Sequence, residues 1–457
     1  MMHLVVVGFD EIVANKYITC IDEAIKQGYI NGYSIIDLES QKNEIEKRIS
    51  SIDLKPNNIY FIPVPNNSKG VWANEIDFKP IFDKLITQFV EIKVYIATEL
   101  KAHEEYLRYC LKHNLPSLTE KPLFAPLKDN IFAPEMISES FYEMLGLGSK
   151  PEQHSVMTLS RYHHIYNESL TKVLKDLIIE NQSPITSVHL RHAGGVWNLH
   201  KEFESREDHP YKFGYGMLMH GAYHYVDLLT QILCLNQYVY PNYTLELAIT
   251  SYVGLPKDQS TRISKYVSEK LSDNPSNFDD KKLFGETDIT SAFSLTIKET
   301  GRVLTLGTIA LEQTTPSIRT WSEIPEGLYN KNGRISSLNI EAQISTIYSK
   351  NITCFDVPVH SNTNIDRIDA TAKVITRQNA KLLKLSDYVI ENTYNGLFHS
   401  DSNKALMSSW LAGNESKSTL ESHVPVMKFI QVIGESVKEP GKQKRIVLVS
   451  KNDPLYF

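Results

Sequence analysis

Short apolar runs alternate with amphipathic stretches over the first 120 positions. The run HLVVVG (residues 3–8) ends at a glycine, and Ile18, Ile21, Ala24 and Ile25 then recur at helical spacing between Ile12 and Gln27. A second run, GYSIIDL, follows and carries Asp37 near its end. Two more strand–helix pairs come next: Ile59 to Val64 before a helix near Phe82 to Phe89, and Val94 to Thr98 before a helix near His103 to His113. Strand and helix alternating through short connections predict a doubly wound, Rossmann-type parallel sheet, placed at residues 1–124.

Beyond that point the period changes. The stretch 125–153 contains three prolines and one short helix at most, and a helix is predicted around Asn167 to Glu180. Strict alternation then dominates: Ile289, Phe293, Leu295 and Ile297 alternate with Thr290, Ala292, Ser294 and Thr296. Similar patterns occupy 243–253, 302–311, 335–349 and 351–359, and 185–197 reads as another strand. Such runs predict a largely antiparallel open sheet with one face buried and helices against it. Residues 125–457 are expected to form this α+β domain, with a polar surface insertion at about 255–286.

Composition narrows the function classes. The 457 residues carry 22% charged side chains and a formal net charge of -6, so nothing attracts nucleic acid or anionic membranes in general. No apolar run is long enough to span a bilayer, and the opening MMHLVVVGFDE reads as a first strand, not a signal peptide. The four cysteines (Cys20, Cys110, Cys234, Cys354) form no CxxC pair, which points to reduced thiols in a cytoplasmic protein.

Three constellations carry chemistry. The first is the turn Gly8-Phe9-Asp10-Glu11-Ile12-Val13. Dinucleotide folds use G-x-G-x-x-G here, so that the backbone turns tightly and approaches the pyrophosphate. Gly8 is present, but Asp10 and Val13 occupy the other two glycine positions. Asp37, at the end of the second strand, stands where an acid accepts hydrogen bonds from ribose hydroxyls and repels a 2′-phosphate, favouring NAD over NADP.

The second constellation spans residues 94–122, VYIATELKAHEEYLRYCLKHNLPSLTEKP. It resembles the Gfo/Idh/MocA family of glucose–fructose oxidoreductase and inositol dehydrogenase relatives. These show an apolar strand, T-P-x-x-x-H, a helix, a short strand and E-K-P. Thr98, His103, Glu120, Lys121 and Pro122 stand at those positions, with Glu99 replacing the usual proline. The resemblance implies that Lys121 lies between nicotinamide and substrate and helps to move a proton.

The third is GYGMLMHGAYHYVDLLTQIL, residues 214–233. His220, His224 and Asp227 at i, i+4 and i+7 are predicted to share one helix face. The family carries D-x-x-x-H-x-x-D in this helix, so His224 matches its catalytic histidine and Asp227 its last acid. His220 replaces an aspartate, as a substrate or relay group. A histidine suits proton transfer because its pKa lies near working pH. Tyr223 and Tyr225 are candidates for binding a polyol. Arg161, after the strand HSVMTL, is a candidate phosphate or substrate contact, and His189, Arg191 and Trp197 are candidates to line the cleft. The segment TLESHVPVMKFIQVIGES resembles the helix that closes many family members.

The resemblance implies an NAD(P)-dependent oxidoreductase acting on a hydroxyl of a sugar, cyclitol or derivative, assembled as a homodimer or homotetramer. Two readings from other classes stay open: a non-catalytic relative with a decayed phosphate loop, and a metal-assisted lyase or hydrolase using His220 and His224. No metal ligand set is marked by spacing.

Overall fold

The computed structural model describes residues 2–65, 72–205, 211–270, 285–316, 338–357, 369–397 and 399–457. The chain forms two compact units, each assembled from separate segments. The first comprises Met1–Asn130, Met136–Tyr162 and Ser400–Val424; the second comprises Ile131–Glu135, His163–His399 and Pro425–Phe457.

The first unit is built on β1 (Met2–Val7), β2 (Ile30–Leu38), β3 (Asn58–Ile62), β4 (Glu91–Ile96), β5 (Ser117–Thr119) and β6 (His154–Val156). They form one sheet in the order β3-β2-β1-β4-β5-β6, and every pairing is parallel. The helices are α1 (Ile18–Lys26), α2 (Lys42–Ser50), α3 (Glu75–Gln88), α4 (Leu100–Lys112) and α5 (Ile137–Leu145). Their lengths follow the apolar periodicity: Cys20, Ile21 and Ala24 are the buried face of α1. Reversal of strand order between β1 and β4 creates a topological switch point, where ligands bind beyond the carboxyl ends of the strands.

The second unit carries α6 (Lys172–Asn181), β7 (Ile185–Trp197) and α7 (Tyr223–Cys234). After these come β8 (Leu245–Gly254), β9 (Asp288–Ile297), β10 (Arg302–Pro316), β11 (Leu338–Ile344), β12 (Tyr348–Val357), β13 (Asp369–Gln378) and β14 (Val389–Leu397). The helix α8 (His399–Leu411) returns to the first unit, whereas α9 (Val424–Lys438) and β15 (Gln443–Val449) complete the second. The nine-stranded sheet runs β14-β13-β12-β11-β7-β10-β9-β8-β15, antiparallel except where β7 meets β10. The doubly wound parallel sheet and the largely antiparallel second sheet are therefore both present.

Three local details differ from the sequence pattern. The alternation at 335–349 is two strands, because Ile344 and Tyr348 close a hairpin; residues 335–337 and 358–359 lie outside the described residues. β13, β14 and β15 extend the sheet where no strand is predicted. The stretch 255–286 is not uniformly a surface insertion: Gln259 and Glu286 are buried, while residues 271–284 lie outside the described residues.

The return of α8 completes the first core. Leu406, Met407, Trp410 and Leu411 pack in one cluster with Leu4, Tyr17 and Tyr95. The Lys93 ammonium donates to the carbonyls of Trp410 and Leu411 at 2.7 and 3.2 Å, satisfying the last turn of α8.

Candidate functional site

In the first unit the topology collects the candidate residues at one edge of the parallel sheet. Gly8 follows β1, Asp37 lies near the end of β2, Thr98 follows β4, and Glu120 and Lys121 follow β5. Gly8 has φ +86°, and a Cβ there would stand 2.7 Å from the Ala97 carbonyl oxygen. Left-handed backbone and the close approach of β1 and β4 both require glycine at this position. The Gly8 N–H donates to the Ile36 carbonyl at 2.9 Å, and the Glu120 N–H to the Ile96 carbonyl at 2.9 Å.

Asp37 fastens the turn. Its Oδ2 accepts from the Phe9 N–H at 2.7 Å and its Oδ1 from the Leu38 N–H at 2.7 Å. Burial raises its pKa, opposed by those two N–H groups and by Arg48. The Arg48 guanidinium donates to the Phe9 carbonyl at 3.1 Å and so holds the same turn from α2.

Asp10 caps the helical turn that follows, with the Val13 N–H donating to its Oδ1 at 2.9 Å. Val13 is fully buried, so it carries the cap through its backbone and packs its side chain inward. The Asp10 side chain reaches solvent on one side, while protein surrounds it closely on the others. This crowding pushes its pKa up to about 6; the Val13 N–H and Arg48 oppose the rise, and the Glu120 carboxylate adds to it. Glu120 in turn accepts from the buried Tyr95 hydroxyl at 2.7 Å and from Tyr17.

Lys121 is half-buried; its N–H donates to Glu120 Oε2 at 3.3 Å, and its ammonium has no partner among the described residues. Thr98 is half-buried and its hydroxyl donates to the Glu99 carbonyl at 3.3 Å.

Two candidates are engaged inside the fold. His103 is buried, with Nδ1 2.8 Å from the Pro122 carbonyl and Nε2 2.8 Å from the Thr98 carbonyl. It ties the loop after β4 to the loop after β5, and both ring nitrogens are taken. Arg161 is 1% exposed and donates to the Lys417 carbonyl at 3.1 Å and to Ser422. It anchors the returning segment 400–424 within its own unit.

In the second unit, α7 begins at Tyr223, and His220 lies in the turn before it with φ -114° and ψ -134°. The single helix face shared by His220, His224 and Asp227 is therefore not formed: His224 and Asp227 are helical and His220 is not. The non-helical lead-in follows from its glycines. Gly216 lies against Glu286, and a Cβ there would come within 2.4 Å of the Glu286 nitrogen. Glu286 holds this lead-in through two bonds: Met217 N–H to its carbonyl at 2.8 Å, and Leu218 N–H to Oε1 at 2.9 Å. Complete burial pushes the Glu286 carboxyl up to about 7.

His224 occupies the first turn of α7 and is 7% exposed. Asp227 is buried and accepts from Gln231 Nε2 at 2.8 Å. Tyr223 is buried with its hydroxyl 3.8 Å from Met427 Sδ, and Tyr225 stacks on His192 with centroids 4.0 Å apart.

That stack fixes which face of β7 meets α7. Side chains alternate along a strand, so buried Val188, Leu190 and His192 share the helix side. His189 and Arg191 point to the other, open face, where Arg191 pairs with Glu312 at 2.9 and 2.6 Å and His189 meets Thr308 at 2.9 Å. They do not share the face of β7 that meets α7; Trp197, farther along β7, is half-buried. His192 and Glu286 are the residues that motif reasoning missed. Period-two counting from Val188 and Leu190 would have found the first; no local signal marks the second. Among the described residues, no group of three or more His, Cys, Asp or Glu is placed to hold a metal ion. No described helix is long and apolar enough to cross a membrane.

No family model matches the chain, and no curated protein matches it in sequence. Solved structures do share its fold over almost the whole length. A levoglucosan dehydrogenase, in complex with NADH and levoglucosan, is 12% identical with a TM-score of 0.52, covering 98% of this chain and 100% of that one. An oxidoreductase domain protein from Kribbella flavida is 12% identical with a TM-score of 0.53, over 98% and 100%. A myo-inositol dehydrogenase from Corynebacterium glutamicum is 11% identical with a TM-score of 0.50, over 98% and 99%. The fold is thus that of two-domain oxidoreductases, the architecture that the resemblance to the Gfo/Idh/MocA group implies.

Proposed function

We propose that the protein is an NAD-dependent oxidoreductase acting on a hydroxyl of a sugar, cyclitol or derivative. The observation that carries this reading is the alignment of Gly8, Asp37, Thr98 and Lys121 along the carboxyl edge of a sheet with a β1/β4 switch point. A dinucleotide fits these residues. Gly8 allows the tight turn, Asp37 suits the ribose hydroxyls and disfavours a 2′-phosphate, and the N-terminal turn before α1 faces the phosphates. The charge of Asp10 opposes them. The bound nicotinamide would supply the hydride acceptor.

The chain's own residues handle the proton. In this reading His224 accepts a substrate hydroxyl proton as hydride leaves the adjoining carbon, and the Lys121 ammonium is a substrate-orienting group. His220, in the turn before α7, is a substrate or relay group. The exposed face of the nine-stranded sheet, with its Arg191–Glu312 pair, is our choice for a homodimer or homotetramer contact, checked by mass in light scattering. The four cysteines are buried and none forms a disulfide, which supports a reducing, cytoplasmic setting.

Asp10's cap favours one second reading, a non-catalytic ligand-binding protein of the same fold. Titration with NADH and NADPH, followed by nicotinamide fluorescence, separates the two. Binding that favours NADH supports the oxidoreductase; binding of neither leaves the second reading.

A further inference from the structure

The second unit contains a groove of about 390 Å³ between α6 and the strands β12, β13 and β14. Its volume lies within the range of small-molecule sites. Side chains at alternate positions face it: Tyr348 and Lys350 from β12, Thr376 and Gln378 from β13, and Asn392 from β14. Lys350 is 7% exposed, and its ammonium donates to the Ser169 carbonyl and lies 5.9 Å from the Tyr348 ring centroid. No carboxylate pairs with it among the described residues. A buried cation is ordinarily paired, because removing it from water costs several kcal/mol. An unpaired one lining an open groove is suited to an anion from solution. Burial pulls the Lys350 pKa down to about 8, so the ammonium form prevails at pH 7.

We infer that this groove binds a small polyhydroxy carboxylate, with its carboxylate on Lys350 and its hydroxyls on Asn392 and on the side-chain oxygen of Gln378, whose amide nitrogen already donates to the Asp387 carbonyl at 2.8 Å. Asp176, exposed on α6 at the rim, disfavours the negative group at that end and so sets the ligand's direction. The site is independent of the oxidoreductase reading, since none of its residues belongs to the dinucleotide or His224 regions.

The test is calorimetric titration of gluconate, glucuronate and tartrate, with sorbitol as the uncharged control. At least one acid is expected to bind at pH 7, and sorbitol at least tenfold more weakly. Binding should weaken roughly tenfold between pH 7 and pH 9 as the Lys350 ammonium is lost, because apparent affinity scales with the competent fraction. Of the other groups facing the groove, Tyr348 is pushed up to about 12 by burial and stays neutral in that window; Asp176 is the remaining charge. Lys350→Met should reduce affinity at least tenfold, Lys350→Arg should retain most of it, and His224→Ala should leave it unchanged. Absence of binding by all three acids overturns the inference, as does acid binding that survives Lys350→Met. Should Lys350→Met fail to fold, loss of binding between pH 7 and pH 9 in the wild type decides, and pH-independent binding overturns it.

Discussion

The two chemistry-bearing regions are held in opposite ways. At the carboxyl edge of the first sheet, each group follows a different strand and is fastened by backbone hydrogen bonds: Phe9 to Asp37, Val13 to Asp10, Lys121 to Glu120. Several of these side chains remain half-buried or exposed. In the second unit, His224 lies in a helix buried at every position, with its lead-in clamped by the buried Glu286. One region is positioned by the main chain and stays open to solvent. The other is positioned by packing. Changes in the first should therefore act mainly on ligand binding and protonation, and changes in the second mainly on stability, except at glycines where the two constraints coincide.

Gly8 is the strongest exception and the sharpest way to break the comparison. Gly8→Ala should destabilise by about 1–2 kcal/mol for left-handed backbone plus about 1–3 kcal/mol for overpacking against Ala97. Gly216→Ala meets Glu286 without the left-handed penalty and should cost only the overpacking share. Chemical denaturation of both variants checks the order; an equal loss would mean that backbone conformation is not what separates them.

Next in size is catalysis. Lys121→Ala and His224→Ala should each lower turnover by roughly a hundredfold or more, with NADH affinity largely intact. His224→Ala should also lower the melting temperature, whereas Lys121→Ala should not, since only the former empties a packed position. Wild-type turnover in both would remove the proposed proton-handling pair.

Asp10 tests the open region by charge. Asp10→Asn keeps a side-chain oxygen for the Val13 N–H and removes the repulsion toward a phosphate. At about 5 Å that repulsion is about 0.8 kcal/mol in water and about 3 kcal/mol at an effective dielectric near 20. The variant should bind NADH a few-fold to about a hundredfold more tightly at pH 7.5. Because the Asp10 pKa is raised to about 6, the wild type should approach the variant as pH falls to 5.5. Asp10→Gly also loses the side-chain cap and should cost only a few tenths of a kcal/mol of stability. Calorimetry at both pH values measures all three proteins, and equal affinities throughout would show that Asp10 does not face the phosphates.

Glu286 tests the packed region by pH. A carboxyl raised to about 7 in the folded state, from an ordinary 4.5, binds its proton more tightly when folded. Its contribution to stability is full below pH 4.5 and is lost as pH rises through 7. Glu286→Gln keeps an acceptor for the Leu218 N–H and should abolish this slope, gaining on the order of 2 kcal/mol over wild type at pH 7.5. Parallel denaturation profiles from pH 5 to 8 would refute the burial of a titrating acid here.

Local periodicity alone determined most of the alternation of strands and helices in the first 120 residues; α2, with Ile45 as its one buried residue, carries too little apolar pattern to be read that way. A βαβ unit announces itself by apolar runs of fixed length and spacing. The same holds for the alternation of β9, where Ile289, Phe293, Leu295 and Ile297 are the buried face. Gly8 and Asp37 were legible for the same reason, since their place depends on where a strand stops, whereas Thr98 and Lys121 were singled out by the motif resemblance over residues 94–122. Tertiary structure decided the rest. It ended helicity before Tyr223, since Gly216 and Glu286 demand a close contact between segments some seventy residues apart, and so took His220 off the helix. It turned His103 and Arg161 inward as ties, because the carbonyls they satisfy come from other segments of the fold. And it brought α8 back to the first core, where Trp410 and Met407 fill space beside Tyr17 that no neighbouring residue in sequence can reach. Spacing specifies what one element presents; which distant segment lies against it depends on packing, and packing is a property of the whole chain.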